Sequence, residues 1–168
     1  MTRGATRRPA GDADTATDYA LDDQPGFLLR VALRQHTRNF ADLMVENLTA
    51  PQFSTLAKLR EVGPCSQNHL GRLIYYDSAT ITGVVERLRQ RGLIDSCADP
   101  TDRRRRAIAL TERGREVADQ AVAAVAAISA RTFAPLTAAE RRQLTRMLQK
   151  IAAQPPAPGA TEPEPGLD

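Results

Sequence analysis

The chain has 168 residues, 42% hydrophobic and 26% charged, with a formal net charge of +3; that allows one core of ordinary size, built from roughly 130 residues once the polar ends are set aside. No run approaches the ~20 apolar residues of a membrane span, and the start Met1-Thr2-Arg3-Gly4-Ala5-Thr6-Arg7-Arg8 has no apolar signal core behind its charges, so a cytoplasmic protein is expected. Two cysteines, Cys65 and Cys97, exclude a disulfide framework, and neither belongs to a C-x-x-C zinc pair.

Residues 1–22 mix Arg, Asp, Thr, Ala and Gly with few large apolar side chains, which predicts a disordered arm. Phe27, Leu28, Val31 and Leu33, then Phe40, Leu43, Met44 and Leu48, recur at helical spacing and predict one long first helix over 23–48 with a single apolar stripe. Thr49-Ala50-Pro51-Gln52 is a capping box opening a second helix, with Phe53, Leu56, Leu59 and Val62 on one side. Gly63-Pro64 stops it, Ser66 caps a short third helix through Leu70 and Leu73, and Asp77 or Ser78 caps a fourth from Ala79 to Arg91. That fourth helix buries Ile81, Val84, Val85 and Leu88 and ends at Gly92, the residue suited to a left-handed terminus.

The periodicity then changes. Leu93–Ser96 and Arg106–Leu110 are short and rich in β-branched or alternating residues, and the turn-forming Asp99-Pro100-Thr101-Asp102 lies between them, which predicts a β-hairpin. Thr111 caps a fifth helix along Val117, Ala121, Ala124, Val125 and Ile128, and the capping box Thr137-Ala138-Ala139-Glu140 opens a sixth with Leu144, Met147, Leu148 and Ile151. The prolines of residues 153–168 predict a disordered tail. The fold class is therefore mainly α with a small hairpin wing: a winged helix-turn-helix unit at 49–111, flanked by helices at 23–48 and 112–152.

Charge is unevenly distributed, with twelve basic against seven acidic residues between Lys58 and Arg115. A helix-turn-helix presents the N-terminal side chains of its second helix to a groove wide enough to admit them. Ser66 and Gln67 at the third helix and Ser78, Thr80 and Thr82 on the fourth can bond bases or phosphates, and Thr80 or Thr82 can offer a methyl group to thymine. Arg87, Arg89 and Arg91 can reach phosphates. Arg103, Arg104, Arg105 and Arg106 crowd one hairpin beside two acids, and a narrow minor groove supplies the anion that relieves such crowding. The expected partner is double-stranded DNA.

No catalytic constellation or glycine-rich phosphate loop is present, so neither an enzyme nor a cofactor is expected. Cys65 and His69 are four residues apart, the spacing of one helical face, but two cysteines and two histidines in the whole chain make a structural thiol the simpler reading. A thiol-redox regulator using Cys65 and a winged-helix protein-interaction module remain the alternatives.

Leu48-Thr49-Ala50-Pro51-Gln52-Phe53-Ser54-Thr55-Leu56, Ser66-Gln67-Asn68-His69-Leu70, Asp77-Ser78-Ala79-Thr80-Ile81-Thr82, Val85 through Ile94, and Asp99 through Arg106 with Leu110-Thr111 together resemble the MarR family of transcription regulators. The resemblance spans roughly residues 25 to 152. It implies a homodimer built through the first, fifth and sixth helices that reads a pseudo-palindromic operator, with Asp102 orienting Arg104 while Arg103 or Arg105 enters the minor groove. It further implies a repressor released by a small aromatic carboxylate bound between the dimer helices and the winged unit. Arg34, His36 and Arg38 on the first helix and His69, Arg72 and Tyr75 near the third are candidates for that ligand. Ser66 through Leu73 and Ala79 through Leu88 are similar to the branch controlling aromatic or N-heteroaromatic acid catabolism, nicotinate-pathway repressors included. A chain without tryptophan cannot carry the signature of the urate-responsive branch.

Overall fold

A computed structural model describes residues 19–98 and 104–153. The predicted arm up to residue 18, the tip of the wing at 99–103 and the tail from residue 154 lie outside the described residues. In chain order the helices are α1 (Pro25–Leu43), α2 (Ala50–Val62), α3 (Gln67–Leu73) and α4 (Ser78–Gln90); then come strands β1 (Ile94–Ala98) and β2 (Arg106–Leu110), and finally α5 (Glu112–Thr132) and α6 (Ala138–Ala152). Short 3-10 turns stand at Leu21–Asp23 and Val45–Asn47. The first of these overlaps the end of the expected arm.

The helices start where polar side chains can satisfy amides that have no partner one turn back. Thr49 accepts from the amide of Gln52 while the Gln52 side chain receives the Thr49 amide, and Thr137 and Glu140 repeat this box at α6. Ser66, Asp77 and Thr111 cap α3, α4 and α5 by accepting from His69, Thr80 and Gly114. The Glu140 carboxyl is held below its ordinary range by the Thr137 backbone amide, then by the Thr137 hydroxyl. At the far end of α4, Gly92 takes the left-handed conformation at φ 69°.

Contacts divide the chain at residues 34 and 35, and each part is taken by itself. In the first, Arg30 stacks over the Phe27 ring at 5.0 Å, and Leu28, Leu29, Val31 and Leu33 are exposed. The second holds the core. Leu56, Leu70, Ile81, Val85, Leu88, Leu93, Ile94 and Ile128 are the largest of its fully buried apolar side chains. Each such side chain contributes about 1.5–3 kcal/mol by leaving water. Strands β1 and β2 pair antiparallel, Ile94 opposite Leu110 and Ala98 opposite Arg106. A further bridge joins Cys65 to Ile108 through both backbone hydrogen bonds, at 3.2 and 2.9 Å, and fixes the α2–α3 turn to the wing.

The first helix departs from expectation. It ends at Leu43, not at residue 48, and Glu46 and Asn47 adopt φ values of 55° and 50°. Left-handed backbone costs a side-chain-bearing residue about 1–2 kcal/mol. The compensation is tertiary: Arg91 Nη2 donates to the Glu46 carbonyl oxygen at 2.7 Å, and the Glu46 carboxylate lies 3.3 Å from both Arg91 and Arg113. Buried Leu48 belongs to the same core as Met44 but follows a break in the helix.

Candidate nucleic-acid interface

Helix α4 is two-sided. Ile81, Val84, Val85 and Leu88 are buried, while Ser78, Ala79, Thr82, Glu86, Arg87, Arg89 and Gln90 are exposed. Its start is fixed by Asp77, whose carboxylate accepts from the Thr80 amide at 2.7 Å and the Thr80 hydroxyl at 2.9 Å. Those two bonds, the backbone one first, hold the Asp77 carboxyl below its usual range. Helix α3 is tied to α4 by one side-chain bond, from Gln67 Nε2 to Thr82 Oγ1 at 2.7 Å. Gly71 allows the close approach of α3: a Cβ there would stand 3.1 Å from the Tyr76 carbonyl oxygen and 3.3 Å from an Ile81 methyl.

The exposed face of α4 is made compatible with a polyanion. Glu86, an acid on that face, is occupied by Arg89 and Gln90, each at 3.1 Å. The Arg87 guanidinium folds back over Gly83, where a Cβ would lie 3.5 Å from it. Arg91, expected at a phosphate, instead turns to the Val45–Asn47 turn, because the Glu46 carbonyl and carboxylate offer it fixed acceptors. In the wing Arg104, Arg105 and Arg106 are exposed, and Arg106 donates to Ser96 Oγ across the hairpin at 3.0 Å. Asp102 and Arg103 lie outside the described residues.

The ligand candidates do not form one group. His36, on α1, is half-buried: its Nδ1 is 3.2 Å from Thr132 Oγ1, which also receives the buried Asn39 amide at 3.1 Å. Its ring is 6.4 Å from that of Phe40, which meets Phe53 edge-on at 5.9 Å. Arg34, Arg38, His69, Arg72 and Tyr75 are exposed, and Tyr75 is 78% accessible on the α3–α4 turn at φ 59°. A small cleft of about 180 Å³ between Leu59, Pro64, Leu110 and Arg115 includes none of them. Both cysteines are of intermediate exposure, and neither is joined in a disulfide. Among the described residues no cluster of three or more His, Cys, Asp or Glu could hold a metal, and no helix is long and apolar enough to cross a membrane.

Four residues with structural roles had no local signature in the sequence. Glu46 with Arg113 closes the break after α1, and Thr132 completes the polar cluster around His36. Gly114 sits so close to the start of the wing that a Cβ there would lie 1.8 Å from the Leu93 carbonyl oxygen.

Comparison with known proteins settles the kinship. A family model described as MarR family matches residues 48–105. The HTH-type transcriptional repressor NicR of Pseudomonas putida is 39% identical over 136 residues, covering 80% of this chain and 86% of NicR. The chain belongs to the MarR family. A probable transcriptional regulator from Pseudomonas aeruginosa shares 44% identity at a TM-score of 0.74, over 79% of this chain and 99% of that one. BpsR of Bordetella bronchiseptica, whose DNA binding is regulated by 6-hydroxynicotinic acid, shares 36% identity at a TM-score of 0.75, over 82% and 99%. The winged helix-turn-helix of the MarR fold is thus what α2 to β2 form, and the protein is a transcription regulator, not an enzyme.

Proposed function

We propose that the protein is a homodimeric repressor that grips a pseudo-palindromic operator through α4 and the wing, and is released by a small aromatic carboxylate. The observation that carries the DNA half is the polar, acid-neutralised face of α4. Ser66, Gln67, Ser78, Thr80 and Thr82 face the major groove or its phosphates, Arg87 adds a cation, and Arg103, Arg104 and Arg105 reach the minor groove, with Asp102 orienting Arg104. Dimerisation would cover apolar side chains that stand exposed on α1 (Leu28, Val31, Leu33) and on α6 (Met147, Leu148, Ile151).

The effector half rests on His36. A histidine held by Thr132 beside the Phe40–Phe53 pair offers a ring-stacking wall and a hydrogen-bonding nitrogen, which suits an aromatic acid. Arg34, Arg38, His69, Arg72 and Tyr75 are the further candidates for the carboxylate, brought together only as the dimer forms. The kinship with BpsR favours N-heteroaromatic acids, 6-hydroxynicotinic acid first.

A thermal-shift titration with 6-hydroxynicotinic acid, run alongside an operator-binding assay, tests this reading. Stabilisation of about 2.7 kcal/mol is expected at a hundredfold excess over Kd, coinciding with release of DNA and abolished by His36→Ala. If neither 6-hydroxynicotinic acid nor benzoate shifts the melting temperature or the DNA affinity, the effector half fails.

A further inference from the structure

We propose that Gln67 and Thr82 act together as the specificity element of the protein, reading an adenine and a thymine methyl in each half-site; this rests on the DNA-binding reading above. A threonine hydroxyl has one proton to give. In Thr82 that proton goes to the Ser78 carbonyl oxygen at 2.7 Å, and the Thr82 hydroxyl oxygen itself accepts from Gln67 Nε2 at 2.7 Å. The only proton of this exposed residue's hydroxyl is therefore committed to the protein, so it cannot donate to a base, and its methyl group is the part that can distinguish thymine. Thr80 differs: it is half-buried and its hydroxyl proton is spent on Asp77 in the helix cap, so it is not part of this pair.

The same bond sets the amide of Gln67. One of its two N–H groups is spent on Thr82, and its Oε1 and second N–H have no partner among the described residues. An acceptor beside a donor is the edge that complements adenine, whose N6 donates and N7 accepts. Thymine offers its methyl group to an apolar contact in the same groove. Two neighbouring protein groups thus match the two halves of an A·T pair, or an adenine and a thymine on adjacent pairs. Gly83, next to Thr82, presents no side chain to hold the helix away from the bases.

Single-atom changes in DNA test this directly. The wild-type homodimer would first select a duplex from a randomised library, and each thymine of that duplex would be replaced by deoxyuridine and each adenine by 7-deazaadenine. At one symmetric position, loss of the methyl should weaken wild-type binding about threefold or more, and loss of N7 by about fivefold or more. Thr82→Ser keeps the hydroxyl and its bonds but lacks the methyl, so it should be indifferent to deoxyuridine there and still respond to 7-deazaadenine. Gln67→Ala should show the reverse. Unchanged melting temperatures would separate these losses from misfolding. If wild type responds to no single-atom change, or if both variants respond as wild type does, the proposal is overturned while sequence-specific binding stands. If wild type selects no duplex over random DNA, the DNA-binding reading falls with it.

Discussion

Gly114→Ala should be among the most damaging small substitutions in this protein. Thr111 caps α5 by accepting from the Gly114 amide at 2.9 Å, gives its own amide to the Leu93 carbonyl at 3.1 Å, and donates its hydroxyl to the Gly92 carbonyl at 2.8 Å. These bonds press the first turn of α5 onto Gly92 and Leu93, in the link between α4 and the wing. A Cβ on Gly114 would lie 1.8 Å from the Leu93 oxygen and 2.8 Å from its carbonyl carbon. The obstacle is backbone, which cannot rotate away as a side chain would, so the gap must widen by well over an ångström. Overpacking costs about 1–3 kcal/mol, occasionally more, and a backbone obstacle places this case at about 3 kcal/mol. That is a large share of the ~5–15 kcal/mol that holds a domain folded, and it corresponds to a fall of roughly 10 °C in melting temperature. Urea unfolding followed by far-ultraviolet circular dichroism measures it. Gly83→Ala is the matched control, because its Cβ would meet only the movable Arg87 guanidinium at 3.5 Å; the better helix former should there add about 0.5–1 kcal/mol. A Gly114→Ala protein with an unchanged or raised urea midpoint would refute the reasoning.

Glu46→Gln keeps the shape of the turn after α1 but leaves Arg91 and Arg113 without their carboxylate; partly exposed ion pairs of this kind contribute under about 1 kcal/mol each, and the difference from wild type should shrink in 1 M salt, as paired thermal scans would register. The Asp77 carboxyl binds its proton less tightly in the folded chain than in the unfolded one, so its contribution to stability is fully present above pH 3.8 and is lost as pH falls below that value. Asp77→Asn, which can still cap α4, should flatten this acid limb of a pH–stability profile, and an unaltered limb would count against the assignment. Arg104→Ala should reduce the slope of log affinity against log salt by about one if this residue meets a phosphate, a change that fluorescence anisotropy across a salt series resolves.

Much of the fold was legible because its signals are local. A cap needs only a polar side chain and an amide three residues on, so Thr49, Ser66, Asp77, Thr111 and Thr137 could be read in sequence, and each caps the helix that follows it. The apolar spacing of Ile81, Val84, Val85 and Leu88 likewise identified the buried side of α4. What could not be read depends on partners far along the chain. The break after Leu43 looked like a continuing helix because Met44 and Leu48 keep the apolar spacing; Arg91 and Arg113, which stabilise the break, are 45 and 67 residues from Glu46. Arg91 resembled its neighbours Arg87 and Arg89 until the fold supplied it with a carbonyl. The Gly114 contact is a backbone encounter that no side-chain pattern records, and Thr132 meets His36 across 96 residues.

These nonlocal contacts also define how a ligand signal would have to travel in the proposed switch. A ligand shifts an equilibrium only by as much as it prefers one arrangement over another, so binding near His36 matters to DNA only if α1 or α5 cannot move without α4. Two junctions impose that condition. At one, Glu46 joins the segment after α1 to Arg91 at the end of α4 and to Arg113 in the first turn of α5, while Arg91 also reaches Gln52 of α2 at 3.4 Å. At the other, Thr111 and Gly114 fix the start of α5 to Gly92 and Leu93, in the link between α4 and the wing. Both grip α4 at its C-terminal end, while its N-terminal half is joined to α3 through the Gln67–Thr82 bond, so that α3 would move with it. A small rotation at the junctions is therefore largest where Ser78 and Thr82 would meet the bases, and that is where a change in spacing between two half-sites costs the most.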